Sequence, residues 1–541
     1  MNDAVRVRFA PSPTGKVHIG NIRTAIFNWL FARHENGKFL VRVEDTDIER
    51  STAEAIEALF KCLEYLNIDY DEEVVYQTKL ADQHLKAAQE LIDKGFAYKL
   101  PASDGEEATP VAFRIPFECE QMAPVQVVGD VEYNVHPEQR LKVDLKGVTF
   151  SLVSKKGKAM PEQCMCLAGF KNLQLFNAED ELLFTLTDEM IEDIYNGTNQ
   201  YSFENVVKMK FLRREVYFTD LIKGELAKPL DSMKDLIIVR SDGTVVFHIA
   251  NVCDDNSQNI THIIRGDDHV ENTYRHLFLF AALGYNIPKY GHMPMIVNKS
   301  GKPYSKRDGD AFVGDFKIKG FSGEALFNYL ALLGWSPGDD REKMTRDEMV
   351  EAFTLDRVKS STAQFDMAKL ENMNGMYLAE MSVETIAEQA IAFVNQQDWG
   401  IDVVNDNYFK RVVELMYQRL KVFTTVSDWS YFFTDDYVLN EKVFKKQFKK
   451  SEIRMGLTAV GNEFNLLGDS EFTAEKIEAV LRDNEEKVEL GNYKLNLPLR
   501  IAISGSNSGA DLVQTALVLG KDRCIKRIEN TIKLANEQFA D

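Results

Sequence analysis

The sequence of 541 residues predicts an α/β protein built on a parallel sheet, with an all-helical C-terminal part. Three observations predict this fold class. The first 43 residues read as strand, loop, helix and strand, which is the pattern of a βαβ unit. Strand and helix signals return between residues 237 and 283. From about residue 320 onward, apolar residues recur at the spacing of amphipathic helices.

The N-terminal segment predicts where a ligand binds. A strand is expected over residues 5–10, because polar and apolar residues alternate there. Two prolines and a glycine between residues 11 and 15 end this strand, and an apolar stripe predicts a helix over residues 22–34. A second strand is expected over residues 38–43. Ligands bind at the carboxyl ends of such strands, so the loop after the first strand is a candidate binding site.

Shifts in composition divide the rest of the chain. Residues 101–211 are rich in β-formers and turn signals, which predicts an inserted α+β domain that is mainly β. This insertion splits the parallel-sheet domain into residues 1–100 and 212–320. Helical patterns then predict two all-α parts, residues 321–380 and residues 381–541.

Charge and composition limit the classes of protein that fit. The 64 Lys and Arg residues against 84 Asp and Glu residues give a formal charge of −20. This charge argues against non-specific nucleic-acid binding, which depends on a basic surface, but it permits a specific RNA partner. No apolar stretch approaches the ~20 residues of a membrane span, so no membrane association is expected. The N-terminus lacks a signal-peptide pattern and six cysteines are too sparse for a disulfide framework, so we expect a cytoplasmic protein.

The loop after the first strand has features of a phosphate site. It reads Pro11-Ser12-Pro13-Thr14-Gly15-Lys16-Val17-His18-Ile19-Gly20. Gly15 and Gly20 allow the backbone to approach a ligand closely. The helix start offers backbone N–H groups to a triphosphate, and His18 can donate a further hydrogen bond. Taken singly, each feature also fits a tight strand–helix turn with a surface histidine.

A basic turn lies much further along the chain. It reads Lys302-Pro303-Tyr304-Ser305-Lys306-Arg307-Asp308-Gly309. Two or three cations beside a glycine can clamp a polyanion as its charge develops. By itself the segment also fits a solvated surface turn, and its significance comes from its expected position on the same sheet as the first loop.

Together these two segments resemble the HIGH and KMSKS signatures of class I aminoacyl-tRNA synthetases. The fuller match is to the glutamyl-tRNA synthetase family. Only residues from about 100 to 235 lack clear matches. The matching segments are residues 8–15, 18–20, 23–25, 42–47, 247–252, 264–269, 292–294, 331–336, 365–370, 373–375 and 498–520.

The resemblance implies an enzyme that ligates L-glutamate to tRNA(Glu) through a glutamyl-adenylate, with ATP and accompanying Mg²⁺. It implies a Rossmann-like catalytic domain in the split parallel-sheet part and an insertion that binds the tRNA acceptor end. Residues 321–380 would contact the tRNA stem, and residues 381–541 would bind the anticodon. It also implies that bound tRNA is needed for the first step. A monomer is expected, and no residue resembles a covalent nucleophile.

The resemblance also implies roles for single residues. The residues that would act on the phosphates during catalysis are His18, Lys306 and Arg307. Those that would bind ATP are Gly15, His18, Gly20, Ser305 and Lys306. Those that would bind glutamate are Arg8, Ala10, Ser12, Glu44, Phe247, Asn251 and Arg265. Arg419 corresponds to the residue that reads the third anticodon base, and no metal ligand is implied.

Arginine suits a dicarboxylic substrate because a guanidinium grips a carboxylate through two parallel hydrogen bonds. Arg8 and Arg265 would make this contact, and Glu44 would hold the amino group of glutamate. The alternative interpretation of these three residues is a buried ion-pair network.

The sequence departs from the family pattern in four places. Asn21 ends the first signature in place of a histidine. Pro303 replaces the first lysine of the second signature, with Tyr304 at the usual aliphatic position, which removes a cation and stiffens the loop. Phe247 stands where a tyrosine hydroxyl usually contacts the substrate side chain, a loss on the order of 1–3 kcal/mol for a bond to a charge. The fourth departure is the insertion at residues 101–211.

The insertion holds candidate zinc ligands and RNA contacts. Some family members carry a zinc site there with Cys-x-Cys followed by Cys-x-His. The order and spacing of the cysteines and histidine of this chain do not fit, so zinc is not expected. The residues concerned are Cys119, His136, Cys164 and Cys166. The candidate phosphate contacts at the insertion and just after it, which also fit a solvated surface, are Lys208, Lys210, Arg213 and Arg214. A separate basic cluster near the anticodon part, with the same two interpretations, consists of Lys445, Lys446, Lys449 and Lys450.

Three other functions also fit parts of this sequence. A glutaminyl-tRNA synthetase shares the catalytic fold, but its anticodon-binding part consists of β-barrels where this chain predicts helices. A relaxed glutamyl enzyme would also charge tRNA(Gln), and Arg419 favours the discriminating kind instead. The alternative from a different class is a catalytically inactive RNA-binding paralogue. The intact His18, Lys306 and Arg8 argue against it.

Overall fold

The computed structural model describes residues 4–13, 15–47, 51–100, 109–135, 140–144, 147–151, 163–399, 407–435 and 437–539. The chain forms two compact units. Unit 1 comprises Met1–Gly314 and Leu330–Phe365, and unit 2 comprises Asp315–Tyr329 and Asp366–Asp541. The predicted domain boundaries at residues 100, 211, 320 and 380 remain predictions.

The strands all belong to unit 1. They are β1 (Arg6–Phe9), β2 (Lys38–Val43), β3 (Val75–Tyr76), β4 (Ala97–Lys99), β5 (Val111–Phe113), β6 (Val125–Asn134), β7 (Arg140–Asp144), β8 (Gly147–Ser151), β9 (Gln163–Met165), β10 (Phe170–Phe176), β11 (Leu182–Thr185), β12 (Tyr201–Phe203), β13 (Lys208–Asp220), β14 (Gly224–Pro229), β15 (Leu236–Val239), β16 (His262–Gly266), β17 (Lys289–Met293), β18 (Ile296–Val297) and β19 (Ala363–Gln364).

The helices occur in both units. They are α1 (Ile19–His34), α2 (Ala53–Tyr65), α3 (Ala81–Asp93), α4 (Asp188–Tyr195), α5 (Phe247–Ser257), α6 (Val270–Leu283), α7 (Val313–Ile318), α8 (Gly323–Leu332), α9 (Arg346–Ala352), α10 (Met367–Leu378), α11 (Val383–Val394), α12 (Asn407–Met416), α13 (Ser430–Phe433), α14 (Glu441–Phe448), α15 (Ser451–Leu466), α16 (Ala474–Lys487), α17 (Asn496–Ser504), α18 (Leu512–Leu519) and α19 (Lys521–Gln538).

The predicted N-terminal βαβ unit is confirmed. Strands β1 and β2 pair in parallel, with Arg8 opposite Leu40, and α1 connects them. Helix α1 begins at Ile19, earlier than the predicted residue 22, because the His18 side chain caps it by accepting a hydrogen bond from the Gly20 N–H. Strand β2 is buried on both faces from Phe39 onward, as expected for a strand in a parallel sheet.

A second parallel pair lies beside the first. Strands β16 and β17 pair in parallel, with Arg265 directly opposite His292. The start of β16 is tied to the start of β1, because the Thr261 N–H donates to the Arg6 carbonyl. At the other end of these strands, Arg8 and Arg265 line one cavity. The fold therefore gathers residues from distant segments at the carboxyl ends of parallel strands.

The described residues between 109 and 211 are mainly strand. Strands β6, β10 and β11 form an antiparallel sheet with the first part of β13. Strands β7, β8, β9 and β12 form a second sheet, and α4 is the helix of this region. The two sheets and α4 share an apolar core that includes Leu173, Val148 and Ile194.

From α10 onward the described residues contain helices and no strand, which confirms the predicted all-helical C-terminal part. Residues 321–380, which the sequence also predicts to be all-α, contain the two-residue strand β19, because it pairs with β18. Apolar faces of these helices meet in one core that includes Val412, Phe432 and Leu499. Arg527 of α19 is only 1% exposed beside this core. Its guanidinium donates to the carbonyls of Tyr431 and Thr434, each at 2.8 Å.

Among the residues described, none of the helices has both the length and the apolarity that crossing a membrane requires.

We expect Arg527→Met to lower the free energy of unfolding by about 3 kcal/mol, because buried carbonyls lose their donor. Lys526→Met is the matched control. The Lys526 ammonium pairs with Asp435 at 2.8 Å, but the lysine side chain is 62% exposed. We therefore expect little change in the free energy of unfolding. Urea titration followed by circular dichroism measures both variants. If both variants lowered the free energy of unfolding equally, the buried hydrogen bonds of Arg527 would contribute no more stability than the exposed ion pair of Lys526.

Candidate active site

One cavity of about 650 Å³ lies at the carboxyl ends of β1, β2, β16 and β17. It collects most of the site residues predicted from the sequence. Those that line it are Arg8, Ala10, Ser12, His18, Gly20, Glu44, Phe247, Asn251 and Arg265. Pro303 and Tyr304 of the basic turn line it too, so both signature segments contribute to the same cavity.

The first signature segment forms the start of α1. His18 Nδ1 accepts a hydrogen bond from the Gly20 N–H at 3.0 Å, which places the proton of a neutral ring on Nε2. Burial lowers the pKa of His18, although a hydrogen bond to the Tyr304 backbone opposes the shift. A Cβ at Gly20 would lie 3.2 Å from His18 Nδ1, so glycine allows this close approach. His18 is therefore a neutral ring whose single N–H donates to the Tyr304 backbone, and the helix N-terminus beside it suits a phosphate.

The backbone conformation at residue 15 favours glycine. Its φ is +122°, a conformation that L side chains rarely adopt. Gly15 is exposed and does not line the cavity. Its predicted contact with ATP remains a prediction, and Thr14 of the same loop lies outside the described residues.

The second signature segment is anchored at Tyr304. The Tyr304 ring is buried against Phe365, with ring centroids 4.6 Å apart. Ser305 Oγ donates to the Asp308 carboxylate at 3.0 Å, which holds a short turn. Lys306 and Arg307 are exposed on this turn and do not line the cavity themselves. The structure thus joins the two segments through Tyr304 and His18 and leaves the two cations in solvent nearby.

Charged side chains behind the cavity form a buried network. Arg8 Nε lies 3.0 Å from Asp255 Oδ1, and Arg42 Nη1 lies 2.6 Å from the same oxygen. Arg42 Nη2 also contacts Glu44 Oε1 at 3.2 Å, and Asn251 donates to that oxygen at 2.9 Å. The alternative interpretation of Arg8 and Glu44 as network residues therefore describes their contacts, although both also line the cavity.

The network shifts the pKa values of its two carboxyl groups in opposite directions. Burial raises the pKa of Glu44, and the opposing effects of Arg42 and Arg8 are smaller. Burial also acts to raise the pKa of Asp255, but Arg42 and Arg8 outweigh it and hold that pKa below its usual value. Asp255 is thus the firmly ionised partner of both arginines, and Glu44 is the carboxyl group that takes up a proton more readily.

Arg265 differs from Arg8 in its partners. Its Nη2 donates to Thr273 Oγ1 at 2.6 Å and its Nε to His292 Nε2 at 3.3 Å. Burial lowers the pKa of Arg265 to about 10, and the group still remains a cation at neutral pH. Arg265 is therefore a buried cation at the cavity wall whose hydrogen-bonding side chains are neutral.

Sequence reasoning missed Arg23, Arg42 and Asp255. Arg42 lies on β2 and Glu44 directly follows that strand, two residues later, so the alternation of strand residues suggests one face for both and could have identified Arg42. Arg23 lines the cavity and is held by the Leu333 carbonyl at 3.0 Å and by the Pro294 carbonyl. Nothing in the local pattern marks Asp255, because its partners come from distant strands.

Phe247 packs among histidines. Its ring centroid lies 5.5 Å from that of His248 and 5.8 Å from those of His269 and His276. Burial lowers the pKa of both His248 and His269 to about 4, so both rings are neutral at pH 7. The missing tyrosine hydroxyl thus leaves an apolar ring between neutral imidazoles at the cavity wall.

The predicted RNA contacts of the insertion need one correction. Arg214 is fully buried and donates to the Phe117 carbonyl at 2.7 Å, so the prediction that it contacts phosphate is wrong. The other three candidates pair with carboxylates: Arg213 with Asp231, Lys208 with Asp180 and Lys210 with Glu132.

The cysteines of the insertion are buried or partly buried thiols. Cys119 and Cys166 are buried, and burial raises the pKa of the Cys119 thiol to about 11. Cys164 is partly buried, and His136 lies outside the described residues.

Arg419 belongs to unit 2. It is exposed at a cleft of about 790 Å³ that Lys421, Ser506 and Ser508 also line. Of the basic cluster further along, Lys445 pairs with Glu441 within α14.

The meeting of both signature segments at one cavity of a parallel sheet defines the class, a class I aminoacyl-tRNA synthetase. The family follows from comparison with known proteins. A model described as "tRNA synthetases class I (E and Q), catalytic domain" matches residues 4–107 and 180–372, and one described as "Anticodon binding domain" matches residues 385–532. The chain belongs to this family of class I tRNA synthetases, and the predicted resemblance is confirmed.

Similar proteins match along the full length of the chain. A glutamate–tRNA ligase of Thermoanaerobacter pseudethanolicus is 32% identical over 98% of this chain and 98% of its own length. One of Francisella philomiragia is 32% identical over 98% of this chain and 99% of its own. The solved structure of a glutamate tRNA ligase from Elizabethkingia meningosepticum, in complex with its amino acid, superposes with a TM-score of 0.70. It is 25% identical and covers 98% of this chain and 99% of that one.

If the charge of Lys306 acts on the phosphates, Lys306→Ala should raise the barrier to adenylate formation by about 2–4 kcal/mol and leave the apparent affinity for glutamate nearly unchanged. The control is Lys302→Ala, an exposed cation of the same loop outside the serine-lysine-arginine core. Pre-steady-state rates of adenylate formation measure both. A loss of glutamate affinity equal to the loss of rate would contradict the role of Lys306.

Proposed function

We propose that the protein ligates L-glutamate to tRNA(Glu) in protein synthesis, through a glutamyl-adenylate made from ATP. The observation that carries this proposal is the charge pattern of one cavity. Residues from four distant segments line it, and they include a cation, Arg265, and a carboxyl group, Glu44. Glutamate is a dicarboxylic amino acid with one ammonium group, so a site for it needs both kinds of group.

Glutamate recognition would divide between the two walls of the cavity. Arg265 and Arg8 offer guanidinium donors to the carboxylates of the substrate. Glu44 accepts from the ammonium group, and Asn251 fixes the Glu44 carboxyl through the bond to Oε1. Ala10 and Ser12 would border the substrate as residues of the loop after β1. Because the network holds Glu44 and Arg8 before substrate arrives, little reorganisation is needed on binding.

ATP would enter with Mg²⁺ as its substrate complex, on the side of the cavity formed by the signature segments. His18 would donate its single ring N–H to a phosphate oxygen in exchange for its bond to the Tyr304 backbone, and Gly20 leaves room at the start of α1. Ser305, Lys306 and Arg307 would meet the phosphates from the basic turn. Glutamate attacks the α-phosphate and pyrophosphate leaves, and the terminal ribose of tRNA then accepts the glutamyl group. The chain supplies positioning and positive charge to these steps.

The tRNA would contact three further parts of the chain. We assign the acceptor end to residues 101–211, the stem to residues 321–380 and the anticodon to residues 381–541. The match of an anticodon-binding model to residues 385–532 supports the last assignment. A monomer that works in the cytoplasm, where translation takes place, completes the proposal.

The function is tested by charging purified tRNA(Glu) and tRNA(Gln) with labelled glutamate or glutamine. We expect glutamyl-tRNA(Glu) only. Glutamine would leave the buried cation of the cavity uncompensated, and Arg419 would select against the anticodon of tRNA(Gln). Glutamylation of tRNA(Gln) would identify a relaxed enzyme. Binding of tRNA without any charging would identify an inactive RNA-binding paralogue and overturn the proposal.

We expect Arg419→Ala to reduce the preference of the enzyme for charging tRNA(Glu) over tRNA(Gln). An arginine at an anticodon pocket discriminates through hydrogen bonds to one base, each bidentate contact being worth about 1–3 kcal/mol. The ratio of kcat/KM for tRNA(Glu) to that for tRNA(Gln) is the measured quantity. Arg411→Ala, an exposed arginine of α12 outside this cleft, is the control. An unchanged ratio in Arg419→Ala would remove this residue from anticodon reading.

A further inference from the structure

Of the three described arginines that line the cavity, the two assigned to glutamate, Arg8 and Arg265, are held in different ways. Arg8 pairs directly with the Asp255 carboxylate at 3.0 Å. Arg265 instead donates to a hydroxyl, a backbone carbonyl and an imidazole: Thr273 Oγ1 at 2.6 Å, the His269 carbonyl at 3.3 Å and His292 Nε2 at 3.3 Å. Within the residues that the structure describes, no carboxylate forms an ion pair with Arg265, so its charge is not compensated by a direct partner.

A carboxylate outside the cavity decides which nitrogen of His292 carries the proton. Asp220 Oδ2 lies 2.6 Å from His292 Nδ1, and both side chains are fully buried. A carboxylate can only accept, so Nδ1 carries the proton and Nε2 keeps its lone pair. A guanidinium can only donate, so Arg265 Nε needs that lone pair. Thr273 Oγ1 lies 3.0 Å from the same Nε2. In the other tautomer, or in a protonated ring, an Nε2–H would point at the Arg265 N–H and could donate only to Thr273.

The position of Asp220 is itself fixed by the backbone. Its Oδ1 accepts from the Ile222 N–H at 2.9 Å and the Lys223 N–H at 2.8 Å, in the turn between β13 and β14. The His292 N–H contacts the same carboxylate at 3.1 Å. Neither Asp220 nor His292 lines the cavity. The turn therefore fixes Asp220, Asp220 orients the His292 ring, and Asp220 can influence Arg265 only through that ring.

We propose that Asp220, His292 and Thr273 are positioning residues, which orient the Arg265 guanidinium and leave its positive charge available to a carboxylate of the substrate. A direct carboxylate partner would orient the guanidinium equally well but would neutralise it. Because the neutral His292 stands between Asp220 and Arg265, the carboxylate orients the guanidinium without pairing with it. This inference rests on the proposed function, in which the substrate is glutamate.

The decisive variant is Asp220→Asn. The amide oxygen still accepts from the turn, but the amide NH₂ now faces His292 Nδ1, so the ring proton moves to Nε2 and opposes Arg265. We expect the KM for glutamate to rise by about 10-fold or more, with the KM for ATP unchanged. ATP–pyrophosphate exchange in the presence of tRNA gives both constants. Unchanged constants for both substrates would overturn the proposal.

Two variants of His292 keep the test open if Asp220→Asn does not fold. His292→Gln places an amide oxygen near the site of Nε2 and keeps an acceptor for Arg265. His292→Asn places an amide NH₂ near the site of Nδ1 and keeps only the donor to Asp220. We expect the KM for glutamate of the His292→Gln variant to lie much closer to that of the natural protein than the KM of the His292→Asn variant does. Equal constants in the two variants would assign His292 a packing role alone and overturn the proposal.

A separate measurement distinguishes this proposal from the proposed function. Nitrogen-15 shifts of labelled histidine report the tautomer of His292 without any substrate, with His292→Gln to assign the signal. Nδ1–H in the natural protein and Nε2–H in Asp220→Asn are expected. An Nε2–H ring in the natural protein would overturn the relay, whatever the activity. Absence of glutamate-dependent exchange in the natural protein would instead overturn the proposed function.

Discussion

The candidate site depends on burying opposite charges together at the carboxyl ends of parallel strands. Arg42 is fully buried, and its guanidinium contacts Glu44 and Asp255 while Arg8 shares the same Asp255. Removing a charge from water costs several kcal/mol, so each of these groups is tolerated only because an opposite charge and a hydrogen bond meet it. The pairs link β1, β2 and α5, and none of these elements can shift without breaking one of them. The cavity is therefore shaped before any ligand arrives.

The arginines of the cavity differ in the charge of their partners, and this difference affects how they can bind a substrate. Arg8 shares a carboxylate with Arg42, whereas Arg265 is held by groups that carry no charge. A carboxylate that enters the cavity is attracted most by cations that no carboxylate contacts directly, and among the residues described Arg265 is one of these. Orientation by neutral donors and acceptors thus keeps both geometry and charge available, which a direct ion pair at this position would prevent.

The departures from the family pattern have structural settings of their own. Phe247 lies between rings of His248 and His269 that burial keeps neutral, so the cavity wall is apolar where a hydroxyl is usually found. Pro303 lies in a loop whose next residue, Tyr304, packs on Phe365 and contacts His18. The loop therefore has an anchor beside the cavity, and the loss of one cation leaves Lys306 and Arg307 exposed on a short turn.

The sequence by itself determined the features that depend on local pattern. Alternation and periodicity predicted the βαβ unit and the helical C-terminal part, and contiguous motifs predicted most residues that line the cavity. Only the tertiary structure decided the partners of those residues. Asp255 is 247 residues from Arg8, and Asp220 is 72 residues from His292, so no local signal connects them. The burial of Arg214, which the sequence offers as a surface cation, was decided in the same way. Charges are placed by whatever the folded chain brings within a few ångströms, and that depends on the packing of distant segments.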